Sequence, residues 1–288
     1  MLTHTLQTSL PRPFLKWAGG KSQLIQQYVP YFPQYFETYH EPFLGGGAVF
    51  FYLYRYQSIQ SVLLPSARIK AFITDINPDL INAYCCIKAQ VEQVILLLDK
   101  HQIKHNKDYY YDVRSRPEKT DVERAARLIY LNKTCFNGLY RENPKGEFNV
   151  PIGRYKNPKI CHPVLLRSVS EALQSTQIEV RAFESILDYA KTELDFVYFD
   201  PPYYPLSPTS NFTAYSRYSF NESDQIRLRD TFVELAGRQV KVMLSNSDCP
   251  FVRALYSQFN IHEISALRMI NSDAKKRGKI SEVLITSY

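Results

Sequence analysis

Asp200-Pro201-Pro202-Tyr203 is the stretch whose residue types most directly suggest chemistry. An exocyclic amine conjugated to an aromatic ring is a poor nucleophile until hydrogen-bond acceptors draw its N–H groups out of the ring plane. A carboxylate and a proline carbonyl are two such acceptors, since proline has no N–H of its own, and a neighbouring tyrosine ring can stack on an aromatic substrate. The plainer reading is a strand-ending turn, for Asp and Pro are ordinary turn residues.

Such a group needs a rigid element behind it. Residues 195–199, Asp-Phe-Val-Tyr-Phe, read as a buried strand that ends at Asp200, where the two prolines stop the ladder. The carboxyl end of a central strand is where open α/β sheets bind ligands. Two glycine-containing stretches come earlier. In Phe14-Leu15-Lys16-Trp17-Ala18-Gly19-Gly20-Lys21-Ser22 the last three residues resemble the end of a P-loop, but position 15 is Leu and no strand precedes it, which argues against a nucleoside triphosphate. What remains is a helix opening with a lysine, suited to an anionic carboxylate, or a simple turn. Glu41-Pro42-Phe43-Leu44-Gly45-Gly46-Gly47 reads as strand, glycine turn and helix. A second strand, 71–75, ends in Asp75, which is placed to grip ribose hydroxyls or to cap the next helix.

Apolar spacing predicts helices over 79–100, 121–131, 163–173, 223–235 and 250–259, and strands over 178–181, 196–200, 240–244 and 283–286. Asn-Pro-Lys-Gly between two β-prone runs predicts a hairpin near 139–150, followed by a basic loop over 153–159. Arg141, Lys145, Arg154, Lys156 and Lys159 make it a candidate groove reader or a solubilising surface. Residues 57–70 read as a surface excursion and 204–220 as a candidate lid.

A chain of 288 residues with 45% hydrophobic content suits one large α/β domain, with or without an insertion. Its net charge of +7 favours a polyanionic partner, and Tyr 22 with Phe 17 offers stacking surfaces as well as core. The five cysteines show no C-x-x-C pair or zinc-ligand spacing, so free thiols are expected. Residues 1–13 are polar and no 18-residue apolar run follows, so the expectation is a soluble, intracellular protein with no membrane contact.

In order, the three motifs at 14–21, 41–47 and 200–203, together with Asn137-Gly138-Leu139-Tyr140-Arg141 and Gly146-Glu147-Phe148-Asn149-Val150-Pro151, resemble the Dam-type, alpha-class (D12) DNA adenine-N6 methyltransferases, and among them the GATC-recognising subgroup. The resemblance covers nearly the whole chain. It implies a doubly wound, seven-stranded Rossmann-like S-adenosylmethionine-dependent domain over 1–77 and 163–288, with an inserted helical and β-hairpin DNA-recognition domain over 78–162. It further implies S-adenosylmethionine as donor and S-adenosylhomocysteine as product. Trp17, Ala18, Gly20, Lys21, Phe43, Gly45 and Gly47 would face the methionine end, Asp75 the ribose, Ile76, Phe183 and Glu184 the adenine, and Asp200 the transferred group. Asp200, Pro201, Pro202 and Tyr203 would hold a flipped-out adenine in double-stranded DNA, with no metal. Lys16, Phe136, Asn137, Leu139, Arg141, Pro151, Arg154 and Tyr155 would contact DNA, with Arg141 reading a guanine and Phe136 entering the stack. A monomer is expected, with a restriction endonuclease as a possible functional partner. The stretches 57–70 and Asn132-Lys133-Thr134-Cys135 depart from common family choices.

The competing readings are methylation of RNA adenine or of a protein amide, and a catalytically idle DNA-binding regulator. Zinc-dependent deamination is disfavoured because no H-x-E with P-C-x-x-C occurs.

Overall fold

The structure is a computed structural model that describes residues 9–60, 70–143, 145–206, 220–267 and 279–288. The chain divides into two compact units, one formed by 1–20, 45–69 and 77–180 and the other by 21–44, 70–76 and 181–288. A seven-stranded sheet runs in the order β3-β2-β1-β4-β5-β7-β6, with β1 Thr38–Glu41, β2 Lys70–Asp75, β3 Thr176–Val180, β4 Asp195–Phe199, β5 Lys241–Ser247, β6 Asn260–Leu267 and β7 Lys279–Thr286. This is the mixed α/β, Rossmann-like architecture expected from the sequence.

The second unit holds every strand except β3. Here β2, β1, β4 and β5 are parallel, and β7 pairs antiparallel with both β5 and β6. All five residues of β4 are buried, as a central parallel strand requires. Val197, Phe199, Val242, Leu244, Val283 and Ile285 share one core with Phe232 and Leu235 of α7 (Glu222–Gly237), whose N-cap is Asn221. At the start of β4, buried His40 Nε2 lies 2.9 Å from Asp195 Oδ1. Burial pushes the Asp195 carboxyl up, but the bonds from His40 and from the Lys191 and Thr192 N–H groups hold it down at about 2. A four-residue helix α1 (Ile25–Tyr28) and the six-residue α8 (Pro250–Leu255) also belong to this unit.

The first unit is largely helical, with α2 (Ala48–Gln60), α3 (Pro78–Lys104), α4 (Lys107–Ser115), α5 (Asp121–Thr134) and α6 (Pro163–Leu173). Asn77 caps α3 by accepting from the Asp79 and Leu80 N–H groups, with Pro78 following it, so the capping falls to Asn77 and not to Asp75. Thr120 and Glu123 form a capping box on α5, and α3 packs on α5 and α6. By length and composition α3 is apolar enough to cross a membrane, with a mean hydropathy of 1.3 over 18 residues, 44% of them buried in the fold. The sequence reading missed this window because its polar residues interrupt any continuous apolar run.

Several boundaries differ from expectation. The helix expected over 250–259 stops at Leu255, and β6 and α4 were not anticipated. The hairpin near 139–150 closes through a single bridge between Glu142 and Phe148, with the Asn149 N–H donating to the Arg141 carbonyl at 3.0 Å. The excursion expected over 57–70 and the lid over 204–220 fall mainly on 61–69 and 207–219, which lie outside the described residues.

Candidate active site

In the second unit β4 delivers Asp200 to the end of the sheet, one-fifth exposed. Lys21 Nζ lies 2.8 Å from Asp200 Oδ1, and Ser245 Oγ donates to the same oxygen at 2.9 Å. Among the described residues none donates to Oδ2. Ser245 is held in turn by the Tyr198 hydroxyl, 2.9 Å away. Lys21 is 4% exposed and sits in a 3-10 turn, Lys21–Gln23, rather than at the mouth of a regular helix; the carboxylate that it meets is Asp200.

The loop after Asp200 is braced from the same unit. The Pro202 carbonyl accepts from Gln225 Nε2 at 2.9 Å, Gln225 Oε1 accepts from Asn246 Nδ2 at 2.9 Å, and Asn246 Oδ1 accepts the Tyr204 N–H at 3.1 Å. Among the described residues none donates to the Pro201 carbonyl. The half-buried Tyr203 ring has Lys21 Nζ 4.6 Å from its centroid, and its hydroxyl donates to Glu282 Oε2 at 2.8 Å. Burial pushes the Tyr203 phenol well up, and nearby Tyr28, Asp200 and Glu282 add to the shift, so the hydroxyl keeps its proton and acts as a donor. Burial also raises the Glu282 carboxyl, against the pull of Lys21.

Other expected site residues of this unit line the ends of β1 and β2. Phe43 stacks on Phe183 with centroids 5.4 Å apart and meets Phe220 edge-on at 5.8 Å. Glu184 pairs with Arg227 at 2.8 Å. Asp75 ends β2, its carbonyl accepting the Arg181 N–H at 3.2 Å, and the next residue, Ile76, is 43% exposed.

The first unit holds the remaining residues. Gly45 and Gly47 have φ of +47° and +66°, the left-handed region that glycine enters without strain. A Cβ on Gly45 would lie 2.8 Å from Trp17 Cδ1, so the ring rests directly on the glycine backbone. Trp17 also stacks on Tyr140 at 5.4 Å, and its carbonyl accepts the Gly20 N–H at 3.1 Å; Ala18 lies exposed within that turn.

Lys16 is tied to α5 by a buried amide. Asn132 Oδ1 accepts the Lys16 N–H at 2.7 Å, and its Nδ2 donates to the carbonyls of Lys16 (2.7 Å) and Gly138 (3.0 Å). The Lys16 ammonium sits 4.0 Å from the centroid of the exposed Tyr155 ring. The Phe136 side chain is 47% exposed, its N–H donates to the Pro151 carbonyl at 2.9 Å, and Asn137 holds φ +55°. Leu139 is half-buried and Arg154 exposed. Arg141 is orientated by Asn149, which accepts from its Nε at 2.6 Å and from its Nη2 at 3.3 Å. These bonds gather Lys16, Phe136, Pro151 and Tyr155 around one buried amide and one turn.

Sequence reasoning missed Ser245, Glu282, Gln225, Asn246 and Asn132. A signal was present for some: Ser245-Asn246-Ser247 closes an otherwise apolar strand, and Glu282 stands directly before the apolar run Val283-Leu284-Ile285.

Against this geometry, residues 17–270 match the family described as D12 class N6 adenine-specific DNA methyltransferase. The chain is 47% identical to the type II methyltransferase M1.LlaDCHI of Lactococcus lactis subsp. cremoris, over 96% of this chain and 95% of that protein. It is 44% identical to the type II methyltransferase M.MjaIII of Methanocaldococcus jannaschii, over 96% and 99%. With the DNA adenine methylase of Escherichia coli K12 the identity is 33%, over 95% and 94%. A strand-end Asp-Pro-Pro-Tyr and likeness along nearly the whole length lead to one assignment: the chain belongs to the D12 class of N6 adenine-specific DNA methyltransferases.

Proposed function

We propose that the protein transfers a methyl group from S-adenosylmethionine to N6 of an adenine flipped out of double-stranded DNA, within GATC. The observation that carries this is Asp200, whose Oδ1 is pinned by Lys21 and Ser245 while Oδ2 and the Pro201 carbonyl accept from no described residue. Two acceptors so placed take the two N6 hydrogens, turn the nitrogen lone pair out of conjugation, and leave Oδ2 as the base for the proton that the nitrogen later sheds. Tyr203 presents to the base the face that Lys21 does not cover.

The donor, when bound, supplies an electrophilic methyl group on a sulfonium. Residues of each unit suit such a donor: in the first, Gly45 and Gly47 hold the left-handed φ of a glycine turn, and in the second, exposed Ile76 offers an apolar face for an adenine ring beside Asp75, a carboxylate at the strand end. Trp17, Ala18, Gly20, Lys21 and Phe43 would hold the amino-acid end, and Phe183 and Glu184 the base.

In this reading 1–77 and 163–288 carry catalysis and 78–162 carries target recognition. Lys16, Leu139, Arg141 and Pro151 read bases, Phe136 and Asn137 fill the stack, and Arg154 and Tyr155 meet the backbone. The GATC assignment is supported by the motifs around 137–141 and 146–151. The relatives named type II methyltransferases support a pairing with a restriction endonuclease. A cytoplasmic, nucleoid-associated monomer completes the proposal.

The test is methyl transfer from labelled S-adenosylmethionine to duplexes that differ from GATC by one base pair. Label in N6-methyladenine with intact GATC alone is expected, and Asp200→Ala is expected to abolish it while DNA binding persists. Transfer at another sequence would discard GATC, and full activity in the Asp200 variant would discard the mechanism.

A further inference from the structure

Glu282 has no part in the reading above, yet it holds the outer end of the ring on which that reading depends. Its place follows from register. Glu282 of β7 lies opposite Ser247 of β5, and alternation along β5 puts Ser247 on the same face as Ser245, which binds Asp200. The strand therefore turns a second carboxylate toward the site. That carboxylate receives the Tyr203 hydroxyl at 2.8 Å, while Lys21 covers one face of the ring, 4.6 Å from its centroid. Tyr203 is thus held at two points: the hydroxyl bond fixes the outer end of the ring, and with it the direction of the long axis, and Lys21 sets which face stays open.

We propose that Glu282 is a positioning residue for methyl transfer, acting on the target adenine through the hydroxyl of Tyr203. The inference rests on the function proposed above. Glu282 needs no contact with the base, because its effect passes through the placement of the ring. Lys21 links the two carboxylates, pairing directly with Asp200 and favouring the charged form of Glu282 against burial. A glutamine at 282 retains an oxygen that accepts from the tyrosine, whereas an alanine does not.

The experiment is single-turnover methyl transfer to a GATC duplex by wild type, E282A, E282Q, Y203F and the Y203F/E282A double variant, with KM for S-adenosylmethionine measured in parallel. E282A is expected to lower the transfer rate about tenfold and to leave that KM within about twofold. E282Q is expected to recover most of the rate. Y203F, which removes only the hydroxyl, is expected to match E282A, and the double variant to be no slower than either single one, since both remove the same bond. Multiplying effects in the double variant, an E282A rate within twofold of wild type, or an E282Q as slow as E282A would each overturn the inference while leaving the proposed function intact. A wild-type protein that methylates no duplex would overturn the function and this inference together.

Discussion

Gly45→Ala offers the sharpest test of the glycine turn, because Gly46 beside it is a built-in control. At Gly45 the φ of +47° costs an L-residue about 1–2 kcal/mol. The added Cβ would lie 2.8 Å from Trp17 Cδ1 and 3.1 Å from its Nε1, so the ring must swing away. That movement gives up its stack on Tyr140, worth about 0.5–1.5 kcal/mol. The expected loss is about 2–3 kcal/mol of stability. At Gly46 a Cβ would meet Trp17 Cβ at 3.4 Å and Pro13 Cβ at 3.9 Å, ordinary packing, with no positive φ. Gly46→Ala should therefore keep wild-type stability or gain about 0.4–1 kcal/mol from a stiffer unfolded chain. Urea unfolding reads both differences as midpoint shifts at constant slope. Titration with S-adenosylmethionine should show binding about tenfold weaker for Gly45→Ala alone. If the two variants unfold within about 0.5 kcal/mol of each other, the claim that Trp17 rests on the bare backbone of Gly45 is wrong.

Two further predictions concern buried polar groups. Asn132→Ala removes three bonds of 2.7, 2.7 and 3.0 Å to Lys16 and Gly138 and should cost about 2–3 kcal/mol by chemical denaturation; an unchanged midpoint would show that the amide clamp adds nothing. His101 is pushed down to about 4, chiefly by burial and secondarily by Arg116 and Lys104. Below the usual 6.5 the unfolded chain takes up a proton that the folded chain refuses, so stability should fall as pH drops from about 6.5 to 4, by up to about 3 kcal/mol. His101→Gln should flatten that slope, and a slope that persists would assign it to other groups. Asp195 does not contribute in this window, since its stabilisation is lost only below the usual carboxylate range.

How much could be read from the sequence depended on how local each signal was. Strand β4 and Asp200 were legible because a central parallel strand is apolar on both faces and two prolines mark its end. The bounds of α6 were legible for the same kind of reason, with Pro163 at its start and a clean apolar stripe. Lys21 was legible as a lysine that suits a carboxylate, but its partner Asp200 stands far along the chain, and nothing near position 21 reveals it. Glu282 was invisible because only register places it: one residue of slip would turn it to the opposite face. Strand β6 escaped because it pairs with β7 alone and carries His262 and Glu263 among its apolar residues.

The position of β7 between β5 and β6 has a consequence for biosynthesis. Strand β6 is made before β7, yet in the sheet it bonds only to β7, so a nascent chain carries it unpaired until 279–286 emerge. An unpaired strand edge invites wrong partners throughout that interval. When β7 inserts, it closes the sheet and carries Glu282 to Tyr203 in the same movement. A ribosome that stalls before that strand therefore leaves a protein with Asp200 already made and the anchor of the Tyr203 hydroxyl missing.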